Sequence, residues 1–325
     1  ATRRFQAGDA KGAARICRAL IEARPDDGGA LHLLGVILLE AGLASAAVRL
    51  LERAVSLEDA EPAIWFNLGV ALRSAGRLRN AAWAFQRTVE LDAGHAEAWF
   101  NLGEASRRLD RPENARAAFG RAAELDPGNW ETRFNLANLL ADLEQFDAAV
   151  DAYEAALAID PEATEVLNNL GVALRRAGRL QEAVRAFEDA LAAAPDNPAA
   201  HDNLGNTLAD LGRPEDAIRS FTAAIRLVPD YAAAHFNLGN VYRACGKPGE
   251  AVICYRSVLA IDPAGERART PLGLALLDCG RLDAADAVLT EIRTRDPANL
   301  SALGGLGNLA REKGEFDRAL ALFDE

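Results

Sequence analysis

The sequence predicts an all-α solenoid of antiparallel helix hairpins, and three observations carry that prediction. Counting 34 residues at a time from Pro62 lands six times on asparagine, at Asn67, Asn101, Asn135, Asn169, Asn203 and Asn237. A leucine recurs at the same period from Leu34 to Leu306, followed each time by glycine except at Ala137. Thirteen residues after each leucine stands an alanine, from Ala47 to Ala319, and four further on a large residue such as Phe85, Tyr153 or Leu289. A fixed period of this length means repeated supersecondary units, none of which buries its apolar face without its neighbours.

The elements follow in order within the unit Pro62 to His95. Ile64 to Ser74 carries apolar residues three and four apart, the spacing of one helical face. Gly76 comes next, where the chain needs a left-handed stop. Asn80 to Leu91 repeats the helical spacing, and most copies then close on a proline, at Pro127, Pro161, Pro195, Pro229, Pro263 and Pro297, which blocks continuation. Gly69 and Ala81 fall where the two helices cross and are small enough for close approach, while Leu68 and Phe85 fill the space between layers. The period divides the chain into a single array: a partial unit 1–27, full units 28–61, 62–95, 96–129, 130–163, 164–197, 198–231, 232–265 and 266–299, and a partial unit 300–325. Two places predict irregularity. Pro271 removes a backbone donor from the first helix of its unit and should delay or kink it, and Gly304 with Gly305 should weaken the next one.

Composition excludes several functions. The net charge of −12 argues against nucleic acid, because phosphate binding needs a basic face. No apolar run approaches the length of a membrane span; Leu31 to Leu39 is the nearest and in phase is a first helix. Arginine outnumbers lysine 33 to 3, which points to a GC-rich genome and a bacterial source. The chain begins without methionine, so its native start is expected to be missing, and no signal peptide is visible. Cys17, Cys245, Cys254 and Cys279 form no C-x-x-C pair and read as small hydrophobes of a reducing compartment, the cytoplasm being the expected one. No H-x-x-x-H, nucleophile elbow or carboxylate pair occurs, and Gly304, Gly305 and Gly307 lack the preceding strand of a phosphate loop. No catalytic residue, cofactor or metal site is expected.

The pattern resembles the tetratricopeptide repeat, whose signature of W-x2-L-G-x2-Y, A-x3-F and P is matched at most places. Its tyrosine is replaced by Leu72, Leu140, Leu174 or Leu208. Its tryptophan is replaced by His201 and His235, which therefore read as packing residues. The resemblance implies a right-handed superhelix in which the first helix of each hairpin lines a concave groove, with the six asparagines facing into it. Asn67 precedes the core-facing Leu68 and so should sit off the buried stripe, exposed. An amide offers both a donor and an acceptor, enough to hold a peptide backbone without reading its side chains. Helix layers lie about 10 Å apart and an extended chain rises about 3.3 Å per residue, so one asparagine would meet the peptide about every third residue.

The row is similar to the asparagine ladder of the O-linked N-acetylglucosamine transferases, which implies the same kind of ligand, an extended protein segment. It stops at Leu33, Pro271 and Gly305. Phe66, Phe100, Phe134 and Phe236 precede the ladder, and Arg73, Arg107, Arg175 and Arg243 lie six places beyond it. The carboxylate clamp of chaperone-binding tetratricopeptide domains is not matched, since Asp202 and Phe236 stand where a lysine is needed. Two functions follow as expectations. One is a scaffold holding an extended peptide through the asparagines and those four arginines, as the recognition arm of a larger bacterial transferase. The alternative is an assembly module, forming homo-oligomers through its ends or convex face, with Trp83 as the exterior anchor. Neither involves nucleic acid, membrane or a cofactor.

Overall fold

Each first helix ends on a residue that reverses the chain in the left-handed region. Gly42, Gly76, Gly178, Gly212, Gly246, Gly280 and Gly314 do so at φ between 68° and 78°, and Asp110 and Glu144 take the same conformation at 57° and 58°. At Gly76 the payoff is visible in hydrogen bonds: Gly76 N–H donates to Arg73 O at 3.0 Å and Arg77 N–H to Leu72 O at 2.8 Å, closing carbonyls the helix end would leave open.

The computed structural model describes residues 1–324, which form two compact units that divide between Pro161 and Glu162. The first holds α1 (Thr2–Gln6), α2 (Ala10–Ala23), α3 (Gly28–Glu40), α4 (Ala44–Leu57), α5 (Pro62–Ser74), α6 (Leu78–Leu91), α7 (Ala96–Arg108), α8 (Pro112–Leu125), α9 (Trp130–Asp142) and α10 (Phe146–Leu157). The second holds α11 (Thr164–Arg176), α12 (Leu180–Ala193), α13 (Pro198–Asp210), α14 (Pro214–Leu227), α15 (Ala232–Ala244), α16 (Pro248–Ile261), α17 (Arg269–Asp278), α18 (Leu282–Arg295), α19 (Leu300–Glu312) and α20 (Phe316–Asp324). From α3 onward these pair as antiparallel hairpins, and among the described residues there is no strand. The all-α repeat expected from the period is what the chain adopts.

The core is a stack of identical contacts. Phe85, Phe119, Phe187, Phe221 and Tyr255 are fully buried, one per hairpin. Each lies against the glycine of the paired helix: a Cβ on Gly69 would stand 2.6 Å from the Phe85 ring and one on Gly171 2.6 Å from Phe187. That is why glycine follows the leucine. Helices α5 and α6 each begin two residues before the apolar spacing suggests, at Pro62 and Leu78; in α5 the proline fits the first helical position, where its missing N–H costs nothing.

Pro271 has the expected effect. A 3-10 turn at Glu266–Ala268 comes first, and α17 has only 10 residues where α15 and α19 have 13. The glycines of the next unit behave otherwise, since α19 runs unbroken through Gly304 and Gly305. Gly305 faces Leu274 and Leu289, each 3.0 Å from where its Cβ would be. Close packing thus demands a small residue there and holds the helix that propensity alone would weaken. No helix is long and apolar enough to cross a membrane among the described residues.

Candidate peptide-binding face

Within each unit the first helices of successive hairpins touch one another directly, α3 with α5, and α11 with α13, α13 with α15 and α17 with α19. No pair of second helices approaches as closely, so the first helices form the inner face. The ladder asparagines lie on it, but they are not exposed as the sequence suggests. Asn67, Asn135, Asn169, Asn203 and Asn237 are half-buried, and Asn101 is buried at 4% exposure.

Their amides are already engaged. In the first unit Asn67, Asn101 and Asn135 each donate from Nδ2 to the carbonyl four residues back, Ala63, Glu97 and Glu131, at 2.9, 2.8 and 2.8 Å. A second kind of partner lies 35 residues upstream, on the preceding first helix. Asn67 Nδ2 donates to His32 Nε2 at 2.8 Å, Asn203 to Asn168 Oδ1 at 3.2 Å and Asn237 to Asp202 Oδ1 at 3.1 Å. These acceptors occupy the place that carries phenylalanine in the neighbouring repeats. His32 must be neutral to accept, and burial pushes its pKa down, against the pull of Glu61 and Glu58. Burial pushes the Asp202 carboxyl up, while hydrogen bonds from Asn237 and Asn206 draw it back. Asn169 accepts from Asn168 at 3.3 Å.

With one N–H committed, the amide is fixed in rotation. The Oδ1 atoms of Asn67, Asn135, Asn203 and Asn237 accept nothing among the described residues, so each offers a carbonyl oxygen on the inner face. Asn101 differs, because Arg73 Nη1 donates to its Oδ1.

The four arginines expected to meet the ligand are all held by the protein itself. Arg73 is on Asn101, Arg107 bonds Glu104 at 3.3 Å, and Arg175 and Arg243 reach 35 residues ahead to Asp210 and Asp278 at 2.7 and 2.9 Å. Arg107, Arg175 and Arg243 are paired with carboxylates and Arg73 with a neutral amide; Arg73, Arg175 and Arg243 reach across to the next first helix, while Arg107 and Glu104 lie on the same one. Two asparagines outside the ladder support the core tyrosines: Tyr153 Oη donates to Asn138 Oδ1 at 2.6 Å and Tyr255 Oη to Asn240 Oδ1 at 2.8 Å. These partners are legible in hindsight, since in both units an asparagine stands three places after the ladder where the core aromatic is tyrosine.

His201 and His235 serve structure. Each Nε2 donates to the carbonyl six residues earlier, Pro195 at 3.0 Å and Pro229 at 2.9 Å, as the Trp65 and Trp99 indoles do to Asp59 and Ala93 at 2.7 and 3.0 Å. This ties each loop to the helix it feeds. All four cysteines are free. Burial pushes the Cys254 thiol up to about 11, which suppresses the thiolate. Among the described residues no group of three His, Cys, Asp or Glu could hold a metal ion. Trp83 lies on the outer helix α6, 55% exposed, its ring edge-on to Trp65 at 4.7 Å.

The sequence matches the tetratricopeptide repeat family over residues 66–129, 134–198, 203–266 and 270–325, and a second description of the same repeat over 4–69. No curated protein matches it significantly. Among solved structures it is similar to YrrB, described as a TPR protein with an unusual peptide-binding site, at 24% identity and a TM-score of 0.52 over 57% of this chain and 95% of that one. PilF of Pseudomonas aeruginosa gives 21% and 0.54 over 65% and 96%. The APC/C hetero-tetramer Cut9–Hcn1 gives 21% and 0.51 over 81% of this chain and 52% of that one. At these identities the likeness is one of fold.

Proposed function

Because the chain belongs to the tetratricopeptide repeat family, a scaffold for protein interaction, we propose that its inner face binds an extended peptide segment through the asparagine row. The observation that carries this reading is the fixed amide. One N–H each of Asn67, Asn135, Asn203 and Asn237 is spent inside the protein, and each leaves an acceptor oxygen open, whereas those of Asn101 and Asn169 are occupied. An extended backbone presents N–H donors to such a row, and layers about 10 Å apart meet a chain rising about 3.3 Å per residue roughly every third residue. The asparagines thus act mainly as acceptors, and Arg73, Arg175 and Arg243 tie neighbouring first helices together instead of reading the ligand. That YrrB, a neighbour in fold, is described as having a peptide-binding site is consistent with this reading.

The test is a backbone scan. A peptide selected from a random linear library on the full chain is resynthesised with single N-methylated amides. Loss of affinity at positions about three residues apart, or a multiple of three, supports the acceptor row, and a scan without that spacing rejects it.

A second reading rests on Trp83. An exposed tryptophan backed by another aromatic ring is a common anchor of protein interfaces, and it would place association on the outer helices, including association between copies. The two readings separate by which substitution, on the inner or the outer helices, removes binding.

A further inference from the structure

We propose that the cleft between α7 and α9 is a subsite for one arginine side chain of the bound peptide. The inference rests on the peptide-binding reading and specifies what that face selects. The cleft has a volume of about 450 Å³ and lies wholly within the first unit. Three carboxylates line it, Glu97, Asp126 and Glu131, and none has an ion-pair or hydrogen-bond partner for its side chain among the described residues. That sets them apart from Glu104 in the same unit, and from Asp210 and Asp278 on first helices of the second, which are paired with arginine. Arg73 also lines the cleft, with its Nη1 already directed to Asn101, so the lining carries three negative charges against one positive.

A second observation points to a ligand independently of the charge. Thr132 lines the same cleft at 2% exposure, and its hydroxyl has no hydrogen-bond partner among the described residues. The equivalent place in the other repeats is apolar throughout: Ala30, Ile64, Ala98, Val166, Ala200, Ala234, Ala268 and Ala302, all buried. The hydroxyl is not among the fully buried unpartnered side-chain atoms, so it is reachable from the cleft and open to a ligand donor or acceptor. Asn129 caps α9 by accepting from Thr132 N–H at 2.9 Å, so its Nδ2 also remains open at the cleft.

The acceptors are spread out. The carboxylates do not gather into a metal-binding group, so a compact ion is not matched. A guanidinium presents five donors on a planar fork, and its flat face stacks on an aromatic ring; Phe100 supplies one in the lining. An arginine projecting from a backbone held by Asn67 and Asn135 would meet both the acid groups and the ring.

Linear peptides from a random displayed library are selected on the full chain and on a Glu97→Gln, Asp126→Asn, Glu131→Gln variant. The expected result is arginine at one fixed register for the wild type and no such preference for the variant. Replacing that arginine by neutral, isosteric citrulline should weaken wild-type binding about tenfold or more, with no such difference on the variant. The citrulline comparison needs no substitution in the protein, so it decides the matter even if the variant fails to fold. Peptides selected without arginine, lysine serving equally well, or citrulline binding equally would overturn the subsite and leave the groove reading standing. Selection of no peptide at all would overturn both.

Discussion

An asparagine amide held by two partners behaves unlike one held by water. Asn101 is buried, donates to Glu97 O and accepts from Arg73, so its loss removes a hydrogen bond to a charged group. Asn101→Ala should therefore cost about 1.5–3 kcal/mol, against about 0.5–1.5 kcal/mol for Asn135→Ala, which gives up only a neutral bond; urea melts of the two variants measure the difference. His32 supplies a pH test. Its folded pKa lies below the ordinary histidine value, so the native state binds fewer protons than the unfolded one in that window. Stability contributed by the neutral ring is present above the ordinary histidine pKa and is lost as pH falls toward the depressed value. His32→Gln, which keeps an acceptor for Asn67, should flatten the wild-type fall in melting temperature over that range. Asp202 has the opposite sign, because a raised carboxyl pKa favours the folded state at lower pH. The asparagine row itself was plain in the sequence, but its burial was not. A stripe drawn on one helix places Asn67 outside the core, whereas its partner His32 comes from the layer 35 residues back and is invisible to any single-helix argument.

At the scale of the element, the glycine after each repeat leucine sets how closely two helices approach. A side chain at Gly171 would begin 2.6 Å from Phe187, so Gly171→Leu should overpack the α11–α12 hairpin and cost about 1–3 kcal/mol or more. Thermal melts would show it as the more damaging change beside Asn135→Ala. The shortened α17 makes a second prediction. Amides from Glu266 to Gly273 should exchange with solvent faster than those of the corresponding α15 segment, because a 3-10 turn and Pro271 leave fewer helical hydrogen bonds there. Equal protection would contradict it. The left-handed stops were legible because they depend on local chemistry, with Asp110 and Glu144 as the two that glycine counting misses. The regularity of α19 was not legible, since Gly305 is held by Leu274 and Leu289, contacts that no propensity encodes.

The whole molecule divides at Pro161, although the sequence there reads like every other repeat junction. One local departure accompanies the division: α10 has 12 residues where α8 and α12 have 14. Each unit has its own run of buried aromatics, so each is expected to fold when produced alone, with helical circular dichroism and a cooperative melt. A fragment that remains unfolded would contradict that. The period dictated the hairpins, the helix order and the core, but it could not say which groups on the inner face remain open to a ligand, because that depends on the pairing of Arg73, Arg175 and Arg243 across helices.

The most direct measurement is the affinity of one selected linear peptide, followed by fluorescence anisotropy, for wild type, Asn67→Ala/Asn135→Ala and Trp83→Ala. Two lost hydrogen bonds of about 0.5–1.5 kcal/mol each predict a loss of about 5- to 150-fold for the double asparagine variant, with Trp83→Ala indistinguishable from wild type. Unchanged affinity in the asparagine variant with binding lost in Trp83→Ala would move the interaction to the outer helices and contradict the inner-face account.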